Sequence, residues 1–170
     1  MNKCFWLIGL SGAGKTTLSN NVVEILNNEL LIKILDGDIL RNGLNSNLSF
    51  SIEDRNENIR RAAEVTKLFL DSGFIVINSF ITPTEEMRQI ARNILGKQYI
   101  EVFIDAPLSV CESRDVKGLY KKARSGKIKN FTGIDSIFEK PLKPDIIIDT
   151  TENIDISVNK LLFEIKRYIK

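Results

Sequence analysis

Short apolar runs recur along the chain and alternate with stretches of helical periodicity. Residues 3–9 (KCFWLIG), 31–35, 74–78, 99–104 and 146–148 are nearly unbroken apolar runs, the pattern of strands covered on both faces. Between the first two, residues 15–28 put Leu18, Val22, Val23, Ile25 and Leu26 on one side of a helix. Residues 54–72 repeat that spacing with Ile59, Ala62, Ala63, Val65, Thr66 and Phe69. Pro83 precedes a helix over residues 84–95, and residues 156–168 read as a closing helix with Val158, Leu161, Leu162 and Ile165 inward. Alternating strand and helix predict a three-layer α/β fold: a parallel five-stranded sheet with helices on both faces, in a single domain over residues 1–170.

Residues 114–140 break the alternation. They are rich in Lys, Arg and Gly and poor in large apolar side chains. Such a stretch is either a solvated loop or a mobile basic lid, and a long basic insertion near strand ends favours the lid. The net charge of +2 over 170 residues is too small to point to a nucleic-acid partner. No apolar run is long enough to span a bilayer, and the N-terminus lacks a signal-peptide pattern, so no membrane partner and a cytoplasmic location are expected. Cys4 and Cys111 are far apart and have no metal-ligand spacing. The chain has no histidine, which leaves acid–base chemistry to carboxylates, Lys, Tyr, Ser or Thr and excludes a His–Cys zinc site.

The residues from Gly9 to Thr16, GLSGAGKT, fit G-x-x-x-x-G-K-S/T between a predicted strand and a predicted helix. In such a P-loop, Gly9, Ser11, Gly12, Ala13, Gly14, Lys15, Thr16 and Thr17 form an ATP-binding cradle. Glycines turn backbone N–H groups onto phosphate oxygens, and the helix N-terminus adds partial positive charge. Lys15 reaches the β- and γ-phosphates, and the Thr16 hydroxyl holds Mg²⁺. Switch GTPases carry the same loop, but the guanine-specifying N-K-x-D segment is missing here. Asp36, Gly37 and Asp38 close the second strand run, where ligands bind in open α/β sheets. On spacing alone, Asp38 is either a turn carboxylate or a catalytic base that orients an attacking hydroxyl.

With these motifs the chain resembles the adenylylsulfate (APS) kinases, P-loop kinases that phosphorylate the ribose 3′-hydroxyl of adenosine 5′-phosphosulfate with ATP. The resemblance covers residues 5–150. It rests on GLSGAGKTT (9–17), LDGD (35–38), DRNENIRR (54–61), SFITP (79–83), the block VFIDAPLSVCESRDVKGLYKKARSGKIKNFTGID (102–135), Glu139 and Pro141. It implies catalytic roles for Asp38 and Lys15, and acceptor contacts from Asp38 and Arg41. Phe50 and Phe131 correspond to the aromatics that sandwich the acceptor base. Arg55 and Asn58 correspond to contacts with its phosphosulfate and sugar, and Ile81 and Thr82 to a further acceptor contact. Lys117 corresponds to the lid lysine, and Arg114 to a residue flanking the adenine of ATP. The implied partner is a small nucleotide acceptor, and a homodimer is compatible with the resemblance.

Departures cluster at the acceptor side. Ile39 stands where the family has Asn after DGD, Ser49 interrupts its LGF, and Thr82 replaces the Ser of FISP. Stacking alone tolerates any base, so these changes leave two acceptors open: adenylyl sulfate first, and then another nucleotide 5′-anhydride such as cytidine diphosphoramidate, from a surface-polysaccharide pathway. A non-catalytic nucleotide-binding module and a nucleoside monophosphate kinase are weaker readings. The first is opposed by Lys15, Thr16 and Asp38, the second by DRNENIRR.

Overall fold

A computed structural model describes residues 2–169. Its five strands are β1 (Cys4–Ile8), β2 (Ile32–Asp36), β3 (Ile75–Ser79), β4 (Tyr99–Asp105) and β5 (Ile146–Asp149). They form one parallel sheet in the order β2-β3-β1-β4-β5. Its helices are α1 (Lys15–Leu26), α2 (Gly37–Asn42), α3 (Ile52–Asp71), α4 (Glu85–Leu95), α5 (Leu108–Arg114), α6 (Leu119–Arg124) and α7 (Ile154–Ile169). The expected fold class is the one observed.

Alternation along β1 explains the two cores. Phe5 and Leu7 face one way, onto Leu18 and Val22 of α1 and Val158, Leu161 and Ile165 of α7. Cys4, Trp6 and Ile8 face the other way, onto Ile59, Ala62 and Ala63 of α3 and Met87, Ala91 and Leu95 of α4. Both cysteines are buried free thiols. Most inward positions expected from periodicity are buried, but Ile25 is 50% exposed because α1 turns it away from the sheet.

Caps set the helix starts more sharply than periodicity does. Ser51 caps α3 by accepting from the Asp54 N–H at 3.2 Å, so this helix begins two residues before the expected start. Thr84, expected as the first residue of α4, is its cap instead and accepts from the Met87 N–H at 3.3 Å. Helices α2, α5 and α6 are too short to show a period, and the sequence reading did not separate them as elements. The basic stretch 114–140 is more than loop: it holds α6, and Tyr120 is buried with its hydroxyl donating to the Ser11 carbonyl at 2.9 Å. Leu161 is fully buried between α1 and the sheet, so Leu161→Ala should cost about 2–5 kcal/mol, read as a lower urea midpoint at unchanged slope.

Candidate active site

The loop between β1 and α1 is pressed against its neighbours. Gly9 has φ +152°, and a Cβ there would lie 2.7 Å from the Ile104 carbonyl oxygen. Gly12 has φ +76°, and a Cβ there would lie 2.9 Å from the Cys111 carbonyl oxygen. Only glycine satisfies both the conformation and the space. Helix α1 then opens without a side-chain cap, which leaves its first N–H groups for an anion.

Lys15 folds back into the loop, and its Nζ donates to the carbonyls of Gly9 (2.9 Å) and Leu10 (2.7 Å). Burial pushes its pKa down to about 8, against the opposing pull of Cys111, Asp36 and Asp38. From outside, Thr150 donates to the Ala13 carbonyl at 2.7 Å. Arg114 donates to the Gly12 carbonyl at 3.3 Å and to the Thr150 carbonyl, so it braces the loop. Thr17 is exposed on the first turn of α1.

The end of β2 supplies the carboxylates. Asp36 is buried; it accepts from the Thr16 hydroxyl at 2.8 Å and, as cap of α2, from the Asp38 N–H at 2.9 Å. Asp38 is exposed in the first turn of α2 and pairs with the Lys117 ammonium, which reaches it from between α5 and α6. The structure thus gathers Lys15, Thr16, Asp38 and Lys117 around one strand end, together with Asp36. Sequence reading gave Asp36 and Thr150 no role. Asp36 lay in plain view beside Asp38, whereas Thr150 is brought to Ala13 only by the fold.

The acceptor-side candidates meet through Arg55. Its guanidinium donates to the Phe50 carbonyl (3.1 Å), the Thr132 hydroxyl (2.8 Å) and the Asn130 carbonyl, joining α3 to the segment that carries Phe131. Phe50 is 59% exposed, with the Arg41 guanidinium 4.3 Å from its ring centre. Phe131 packs edge-on against Tyr120 at 5.0 Å. Burial, and then the proximity of Arg55, lowers the Arg41 pKa; burial lowers that of Arg55. Two crowded guanidinium groups favour an anion between or beside them. Asn58 is buried and accepts from Asn45 at 3.0 Å. Thr82 is 1% exposed, its hydroxyl accepts from the Trp6 indole at 2.9 Å, and its φ of +44° is unusual for a β-branched residue. Its hydroxyl is therefore held away from the surface, whereas the neighbouring Ile81 is half-buried and its carbonyl accepts from the Gly9 N–H at 3.4 Å. An open cleft of about 530 Å³ lies beside the loop, lined by Leu10, Leu108 and residues 133–138.

A strand-to-helix phosphate loop with an adjacent carboxylate on a parallel sheet defines a P-loop fold, and kinship to known proteins makes it a phosphotransferase with an alcohol group as acceptor. The family model for adenylylsulphate kinase matches residues 1–149, so the chain belongs to that family. It is 53% identical over 159 residues to the adenylyl-sulfate kinase of Clostridium kluyveri, covering 92% of this chain and 80% of the relative. The adenylyl-sulfate kinase of Bacteroides thetaiotaomicron is 54% identical over 160 residues, covering 92% and 80%. Among solved structures, the Mycobacterium tuberculosis APS kinase in complex with AMPPNP and APS superposes with a TM-score of 0.93 at 41% identity, covering 97% of this chain and 98% of that one.

If Lys15 meets the phosphates as its motif predicts, its depressed pKa should give ATP binding a pH dependence. Phosphate charge favours the protonated amine, so the Lys15 pKa rises when the nucleotide binds. Below pH 8 the free amine is already charged. Above it, binding must take up a proton, and affinity should fall by up to about tenfold per pH unit. Calorimetry in buffers of different ionisation enthalpy should show that uptake at pH 9 and little of it at pH 7.

Proposed function

We propose that this protein transfers the γ-phosphoryl group of ATP to the ribose 3′-hydroxyl of adenylyl sulfate. The observation that carries the reading is the gathering of Lys15, Thr16, Asp36 and Asp38 at the ends of β1 and β2. The identity above 50% to adenylyl-sulfate kinases supports the choice of acceptor.

The Thr16 hydroxyl and Asp36 carboxylate are neighbouring hard oxygen donors, which fits a magnesium ion that keeps its waters and the phosphates. Among the described residues no group of three or more acidic, Cys or His side chains could hold a metal, so the nucleotide phosphates would have to supply the remaining ligands. When bound, it neutralises charge on the β- and γ-phosphates. Lys15 exchanges its two carbonyl partners for phosphate oxygens. Asp38 orients the acceptor hydroxyl in line with the γ-phosphorus and accepts its proton. For that, Lys117 must leave Asp38, and the incoming phosphate charge gives it another partner. Arg41 and Arg55 hold the anionic end of the acceptor, with Asn58 beside them, while Phe50 and Phe131 stack on its base. Ile81 borders the same pocket and Thr82 shapes it from below. Arg114 holds the loop at the nucleotide end. The segment 114–140 closes as a lid and excludes water, which suppresses wasteful hydrolysis.

Two measurements test this. ATP-dependent product formation should give a far higher kcat/KM with adenylyl sulfate than with cytidine diphosphoramidate; the reverse order would reassign the acceptor and point to the exposed Ile39 as part of the change. Asp38→Ala should lower kcat by about 10²–10⁴-fold with ATP affinity retained, the range of a lost general base. Near-normal turnover in that variant would remove Asp38 from the mechanism.

A further inference from the structure

Arg88 lies outside the machinery described so far, on α4, and is 1% exposed. Burying a guanidinium is costly, and an apolar side chain of similar volume would fill the space at least as well. Its contacts show what it joins. Nε donates to the Glu85 carboxylate at 2.9 Å. Nη1 donates to the Glu139 carbonyl at 3.0 Å and lies 3.4 Å from the Thr82 carbonyl.

Glu139 stands at the C-terminal end of the basic segment, after the contacts of Asn130 and Thr132 with Arg55. Its own N–H donates to the Pro83 carbonyl at 2.8 Å, and its carboxylate accepts from the Glu85 N–H at 2.7 Å. The same short stretch reaches the phosphate loop, because the Ile81 carbonyl accepts from the Gly9 N–H. Thr82, with its left-handed backbone, sits between these two connections. One planar cation therefore bonds the returning end of the lid to the stretch that touches the phosphate loop.

We infer that Arg88 and Glu139 are positioning residues that fix the lid's return point relative to the phosphate loop, and so set how tightly the lid closes on the acceptor. The inference rests on the proposed role of 114–140 as a lid. Arg88 suits the task because its planar guanidinium holds Nε on the Glu85 carboxylate while Nη1 faces the Glu139 and Thr82 carbonyls, a fixed arrangement that a lysine ammonium on a flexible stem does not reproduce. Glu139 is itself exposed, so its value lies in the connection rather than in burial.

The test compares Arg88→Lys, Glu139→Ala and Glu139→Gln with the wild type. Arg88→Lys and Glu139→Ala should raise the acceptor KM by about tenfold, keep the ATP KM within about twofold, and change kcat less than the acceptor KM. Trypsin should cut at Lys121–Lys129 about fivefold faster in both, with other sites unchanged, because only the lid is loosened. Glu139→Gln keeps an oxygen for the Glu85 N–H and should behave as wild type. A lower melting temperature with unchanged acceptor KM and unchanged lid cleavage would overturn the inference, as would equal impairment in Glu139→Gln and Glu139→Ala. If Arg88→Lys does not fold, the Glu139 pair decides alone. The protease readout needs no acceptor, so failure of the wild type to phosphorylate adenylyl sulfate would sink the proposed acceptor without touching this result.

Discussion

The hydrogen bond from Thr16 to Asp36 ties the first turn of α1 to the last residue of β2. Strand β3 lies between β1 and β2 in the sheet, so this bond spans a strand that contributes neither partner. Asp36 spends its second oxygen on the N–H of Asp38, which starts α2 and fixes where the Asp38 carboxylate emerges. A single buried carboxylate thereby sets the relation between the phosphate loop and the group that would meet the acceptor. The rest of the site is arranged around that relation.

Around this centre the protein stores positive charge in unequal states. Lys15 is buried and satisfied by carbonyls, Lys117 is exposed and paired to Asp38, and Arg41 and Arg55 are partly buried and crowded. Each is held by contacts that an incoming phosphate or sulfate could replace with stronger, charge-assisted ones. In the proposed reaction, ligand charge would draw these cations from their present partners, and closure of the basic segment would complete the site.

Much of this was legible in the sequence. The apolar runs marked all five strands within a residue or two, because strands covered on both faces leave a continuous signal. The phosphate loop was legible because its motif is contiguous and its glycines take positive φ values, although the close contacts they permit come from distant residues. What remained hidden depended on partners distant in the chain. The Trp6 bond that removes the Thr82 hydroxyl from the surface, the Thr150 brace on Ala13, and the docking of Tyr120 from the basic segment onto the Ser11 carbonyl are tertiary facts with no local pattern. Short helices such as α2 and α6 escaped because six residues give too little period to detect.

The chain contains one tryptophan, and it lies in the central strand with its indole N–H bound to Thr82. Indole emission depends on that kind of polar contact. The fold therefore carries a native optical probe whose light originates beside Thr82, in the stretch after β3, with no label needed and no second emitter of its kind to confuse the signal. Rearrangement around the stretch after β3 becomes visible in the unmodified protein, in real time.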